Sequence, residues 1–196
     1  MNSPLLRLLL ALAGLVAGGL LAAADNAWGW GAAALGLWLL WEYARDGGVS
    51  AAFAAFKRGD QDALRGALRH TLWPRLLATH KRAYYHWMRG VALMATCRFP
   101  DAREQLLLAA AGDIQTENDR SLIQCLLAEV SLQLQDWPAT QEHLRLARNL
   151  EHHERVNGMI DAVEQRLRER VAEAVRAMTP APVPETQLSP DVDTER

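Results

Sequence analysis

Arg98-Phe99-Pro100-Asp101-Ala102-Arg103-Glu104-Gln105-Leu106-Leu107-Leu108-Ala109 opens one segment of this chain, and 38 residues further on Asp136-Trp137-Pro138-Ala139-Thr140-Gln141-Glu142-His143-Leu144-Arg145-Leu146-Ala147 opens another. An aromatic residue, a proline, a small residue, a leucine and an alanine recur at the same offsets. Proline just inside a helix start is favoured, because its missing N–H would lack a partner there anyway. Each segment follows a long helical pattern with a small residue midway, Gly90 in one and Ala128 in the other. Self-similarity at a period in the thirties is the mark of helix pairs stacked into a solenoid. Such a pair buries its face only against neighbours, so the array needs several pairs or a cap.

Working outward, everything beyond Gly47-Gly48 has helical spacing and no strand-like alternation. Helices are predicted at 49–58, 60–71, 79–97, 100–112, 117–135, 138–149 and 152–178. They are separated at Gly59-Asp60, Trp73-Pro74, Phe99-Pro100, Gly112-Asp113 and Trp137-Pro138. The last helix carries Val156, Met159, Ile160, Val163, Leu167 and Val171 on one side and supplies a cap. Its other side, with Glu164, Arg166, Arg168, Glu169, Arg170, Glu173 and Arg176, reads as a solvated face.

These residues resemble the tetratricopeptide repeat family over residues 49–150. Gly90 and Ala128 match that family's close-packing small position in the first helix of a pair. Phe99 and Trp137 match the aromatic before the second helix. Ala102, Leu106 and Ala109 match its small-large-small rhythm, which Thr140, Leu144 and Ala147 repeat with one substitution. A weaker half-match lies at Gly59-Asp60-Gln61-Asp62-Ala63. The spacing is 38 rather than the family's usual 34, the final proline is missing, and Arg89 stands where Leu is usual. The resemblance implies a groove lined by first helices that holds a protein partner. The matching positions are Tyr84, Trp87, Met88, Val91 and Met94, followed by Leu122, Cys125, Leu126, Glu129, Leu132 and Gln133. The Lys and Asn of the family's carboxylate-clamp members are lacking. An apolar groove of this kind suits an amphipathic helix with Trp87 and Met88 as anchors; the competing reading is that neighbouring helices fill it.

The N-terminus is of another kind. Residues 8–24 carry no charge and, after Asp25, residues 26–41 carry none either. A spanning helix needs about 20 largely apolar residues, so two spans joined at Asp25-Asn26 form a tight hairpin. Gly14 and Gly18 make a Gly-x-x-x-Gly face, and Gly29, Ala33 and Gly36 a second stripe, suited to close helix approach in lipid. Trp28 and Trp30 at one end, with Trp38, Trp41 and Tyr43 at the other, resemble interfacial aromatic belts. Arg7, Arg45, Lys57 and Arg58 flank the spans and the connector has no Lys or Arg, which places both ends in the cytoplasm. Arg7, the apolar run and Ala22-Ala23-Ala24 also fit a cleavable signal peptide.

Net charge is −2 over 196 residues, so no basic excess points to nucleic acid. Cys97 and Cys125 lie on separate helices and read as reduced thiols, with a disulfide left open. His80 and His86 do not share a helix face, His152-His153 point apart, and no metal set is completed. There is no phosphate loop or nucleophile elbow, and Ser121 and Ser131 lack a base. Residues 179–196, with Pro180, Pro182, Pro184 and Pro190, are acidic and read as a disordered tail.

The expectation is therefore all-α: a transmembrane helical hairpin (1–46), a tetratricopeptide-like α-solenoid of antiparallel helix pairs with a long C-terminal capping helix (47–178), and a tail (179–196). The Ala/Leu/Arg-rich composition suggests a bacterial inner-membrane protein of multi-pass type with its repeats in the cytoplasm. It acts as a scaffold for a protein partner, without cofactor or enzymatic activity, and self-association stays open. The alternative is an accessory subunit of a membrane enzyme or envelope-assembly complex, recognised through the hairpin at Gly14 and Gly18.

Overall fold

A computed structural model describes residues 4–24, 27–46, 48–71 and 74–178, and the regular structure among them is all helical. The helices are α1 (Pro4–Ala23), α2 (Ala27–Asp46), α3 (Val49–Arg58), α4 (Gln61–Arg69), α5 (Thr79–Met94), α6 (Phe99–Ala110), α7 (Glu117–Gln133), α8 (Trp137–Arg148) and α9 (Glu154–Met178), with a short 3-10 turn at Pro74–Leu76 before α5. The Asp25-Asn26 connector, Gly47, Trp73 and the tail at 179–196 lie outside the described residues, as do the side chains of Arg7 and Tyr43.

Three helix pairs, α3–α4, α5–α6 and α7–α8, repeat one backbone device. Each first helix ends on a left-handed residue: Gly59 (φ 73°), Cys97 (φ 56°) and Gln135 (φ 60°), spaced 38 residues apart. The next N–H reaches back to close the helix, Asp60 to the Ala55 carbonyl (3.0 Å), Arg98 to Leu93 (3.0 Å) and Asp136 to Ser131 (2.9 Å). The left-handed residue's own N–H bonds Phe56, Met94 or Leu132. This double bond caps the otherwise unpaired carbonyls and turns the chain into the second helix. Asp60 and Asp136 then cap α4 and α8 by accepting from the N–H groups of Ala63 and Ala139. The half-match at Gly59-Asp60 is thus the same turn as the two full ones.

Packing follows the same period. Ala52, Gly90 and Ala128 are buried at equivalent positions of the first helices, as are Leu64, Ala102 and Thr140 in the second. A side chain on Gly90 would meet Leu106 Cγ at 2.7 Å, so the helices of that pair touch where no Cβ intervenes. Each later pair also carries one His–Gln bond between its helices. His86 on α5 meets Gln105 on α6 (2.9 Å), and Gln124 on α7 meets His143 on α8 (2.8 Å). These are the same two positions with the residues exchanged. One core runs from α3 through α7, and a second joins α7, α8 and α9.

Helix α9 lies where a fourth first helix would begin. Ile160, Val163 and Leu167 are buried 38 residues after Leu122, Cys125 and Glu129. At the small position, however, stands Arg166, and its guanidinium reaches across to Glu129.

Helices α1 and α2 form an antiparallel hairpin whose inside is small and whose outside is large. A Cβ on Gly18 would strike the backbone of Ala33 (Cα at 2.7 Å), one on Gly36 would lie 2.7 Å from Leu15 N, and one on Gly29 would run into Ala22. Leu9, Leu10, Val16, Leu20, Trp28, Trp30, Leu35, Leu37, Trp38 and Trp41 face outward, Leu20 at 69% exposure and Trp28 at 84%. Among the described residues no helix is long and apolar enough to cross a membrane.

Candidate functional site

The expected groove is the face shared by the first helices α5 and α7, and α3 packs beside α5. There four rings from two helices close into a cluster. Phe53 of α3 lies 5.5 Å from Tyr84 and 5.7 Å from Trp87 of α5, and Phe56 lies 5.7 Å from Trp87. Most of these contacts are edge-to-face, the arrangement that sets a ring's positive edge against its neighbour's negative face. Lys57 holds its ammonium 4.6 Å from the Phe53 centroid at the rim. Tyr84 donates its hydroxyl to Asp119 Oδ2 at 2.7 Å, tying α5 to α7. Burial, then the Asp119 carboxylate, pushes the Tyr84 phenol well above its ordinary range, so it stays a donor.

The expected groove residues divide into three groups. Trp87 (1% exposed), Met88 and Val91 are core side chains and line no open groove, which corrects the reading of Trp87 and Met88 as partner anchors. The physical reason is size: the indole reaches across to α3 and fills the space between adjacent first helices. Tyr84, Met94, Leu122 and Leu126 are half-buried on the flank of the same core. Glu129 is occupied from the other side. The Arg166 guanidinium lies 2.7 Å from its carboxylate, and Gln133 Nε2 donates to it at 3.1 Å. Helix α9 therefore covers the α7 end of the face, and the accessible part is the Phe53–Phe56–Tyr84–Leu122 stretch. Phe53 and Phe56 did not figure among the expected residues. They sit 38 residues before Val91 and Met94, so extending the period by one unit towards the N-terminus was the signal that finds them.

Gly14 and Gly18 both face α2, towards Gly36 and Ala33. They are enclosed within the hairpin, so a partner reaching them would first have to displace α2.

Cys97 and Cys125 are both free, Cys97 exposed and Cys125 buried, which answers the question left open on a disulfide. Burial, reinforced by the Glu129 charge, pushes the Cys125 thiol up to about 11, so it stays protonated and unreactive. Among the described residues no three His, Cys, Asp or Glu side chains converge as a metal site. His86 is engaged with Gln105, and His152 with the Leu150 carbonyl and Asn157.

No family model, curated protein or solved structure matches the chain.

Proposed function

We propose that this protein is a membrane-anchored helical-repeat adaptor of tetratricopeptide type, which holds a protein partner against the inner face of its first helices on the cytoplasmic side of a bacterial membrane. The observation that carries the reading is the inverted hairpin. Folding in water drives large apolar side chains inward, yet here glycine and alanine fill the inside while leucine and tryptophan cover the outside. Contiguous exposed apolar surface on this scale marks a membrane or partner contact, and glycine at a helix contact is how helices associate where lipid gives no hydrophobic drive. The repeat half, in turn, offers a half-buried aromatic strip, Phe53, Phe56 and Tyr84, flanked by Lys57. Aromatic side chains are among the residue types that anchor protein interfaces.

The test is co-purification in mild detergent of the full chain, of a Phe53→Ala/Tyr84→Ala variant, and of a Gly18→Leu variant, with bound proteins identified by mass spectrometry. Loss of a reproducible partner in the aromatic variant, with retention in the glycine variant, supports capture on the inner face. Loss only in the glycine variant means that the hairpin carries recognition and overturns the groove.

A further inference from the structure

Where the hairpin meets the repeat half, a cavity of about 450 Å³ opens between the end of α2 and the start of α5, lined by Trp38, Trp41, Glu42, Arg45, Ala78, His80 and Lys81. The two elements are joined there by the Ala78 N–H donating to the Arg45 carbonyl at 3.4 Å. One wall is aromatic: Trp38 and Trp41 stand three residues apart on α2, both more than half exposed, and are continuous with the outward leucines of the hairpin. The other wall is basic, with Arg45 at the end of α2 and His80 and Lys81 in the first turn of α5. Glu42 is the single acidic side chain in the lining.

We infer that this cavity seats the phosphate headgroup of an anionic phospholipid, with Trp38 and Trp41 against the glycerol and upper acyl chains and Arg45, His80 and Lys81 around the phosphate. The inference rests on the membrane reading of the hairpin and adds a specific ligand to it. The geometry favours a lipid over a free anion because the apolar wall runs without a break onto the hairpin's outer face, along which acyl chains can lie. Tryptophan settles at headgroup depth in a bilayer, and basic residues just past a span on the cytoplasmic side attract anionic lipid. Arg adds a planar fork matched to phosphate oxygens, and Lys a compact point charge. Seated this way, the lipid bridges α2 and α5 and sets the angle at which the repeat array leaves the membrane.

The test uses the full chain in mild detergent and native mass spectrometry of bound lipid. The added probes are phosphatidylglycerol, phosphatidylcholine and inorganic phosphate. The variants are Arg45→Gln/His80→Gln/Lys81→Gln, the charge-keeping Arg45→Lys, and a control, Arg145→Gln/Arg148→Gln/Arg168→Gln, that removes as many basic side chains far from the cavity. Expected is one retained phosphatidylglycerol per chain, little phosphatidylcholine, and no competition from inorganic phosphate. The cavity triple variant should bind about thirtyfold more weakly, the size that follows from removing Arg45 and Lys81 alone from a membrane-surface site, while the control and Arg45→Lys keep binding. Equal binding by the cavity variant and the control overturns the site, as does displacement by inorganic phosphate. Alkaline extraction of membranes separates the two levels: a chain that stays in the membrane but holds no lipid refutes only the site, and a chain released by carbonate refutes the anchor itself.

Discussion

Two non-glycine residues carry the left-handed turns of the later pairs. An L-residue there places its Cβ too close to the following carbonyl, at roughly 1–2 kcal/mol, and Cys97 and Gln135 are both exposed, with no core contact to offset it. Cys97→Gly and Gln135→Gly should each raise stability by about 0.5–1 kcal/mol, since glycine takes this conformation without the clash, as read from denaturant midpoints; a loss of stability on both would mean that the turn geometry is wrong. His143 gives a pH signature. Burial first, and then the Arg103 charge, lowers its pKa below the ordinary 6.5. The unfolded chain therefore takes up the proton first, and stability present above pH 6.5 is lost as pH falls from there towards the folded value. His143→Gln keeps a partner for Gln124 and should flatten the fall in melting temperature between pH 7 and pH 5. An unchanged slope would assign that pH dependence to other groups. Trp87 is a matter of packing. Trp87→Ala should cost about 3–5 kcal/mol, the usual range for emptying a buried aromatic site, and loss of partner capture without loss of stability would return it to the role of anchor.

At the scale of the element, the hairpin makes the sharpest contrast between neighbouring glycines. Gly18 abuts the Ala33 backbone, whereas a side chain on Gly19 would meet nothing within 4 Å. Gly18→Leu should force α1 and α2 apart and lower the thermal stability of the detergent-solubilised chain, and Gly19→Leu should leave it unchanged; equal behaviour would mean that the two helices do not pack on this face. Helix positions were legible because proline, glycine and aspartate punctuate a 3.6-residue pattern at each boundary. The small residues at the α1–α2 contact could be read for the same reason, since glycine at i and i+4 has few other uses in an apolar helix. Burial was less legible. Tyr84, Trp87, Val91 and Met94 all lie on the side of α5 that the family resemblance assigns to the groove. Nothing in their spacing tells that Phe53 and Phe56 arrive from α3 to close over Trp87, or that Arg166 reaches Glu129 from a helix 37 residues away. Those contacts depend on how far adjacent first helices rotate past one another, and a period carries no information on rotation.

On the scale of the whole molecule, the chain joins two halves with opposite rules for what faces out. Exposed Cys97 lies on the repeat half and Cys125 is buried, so a single thiol can test the proposed cytoplasmic placement of the repeats. A membrane-impermeant maleimide should label Cys97 in broken cells and not in intact spheroplasts, and labelling of intact spheroplasts would reverse the proposed topology. The repeat half also contains the means of its own ending. Three units share one turn, one period and one small-residue contact, and nothing within a unit tells it how many others there should be. Arg166, placed where Ala52, Gly90 and Ala128 allow a second helix to approach, offers no such small contact to a further pair and turns its charge back onto Glu129. Length and termination are thus written in separate places. A 38-residue unit copied in ahead of α9 would lengthen the reach of the array from its hairpin while leaving both ends as they are, so reach can change by duplication alone.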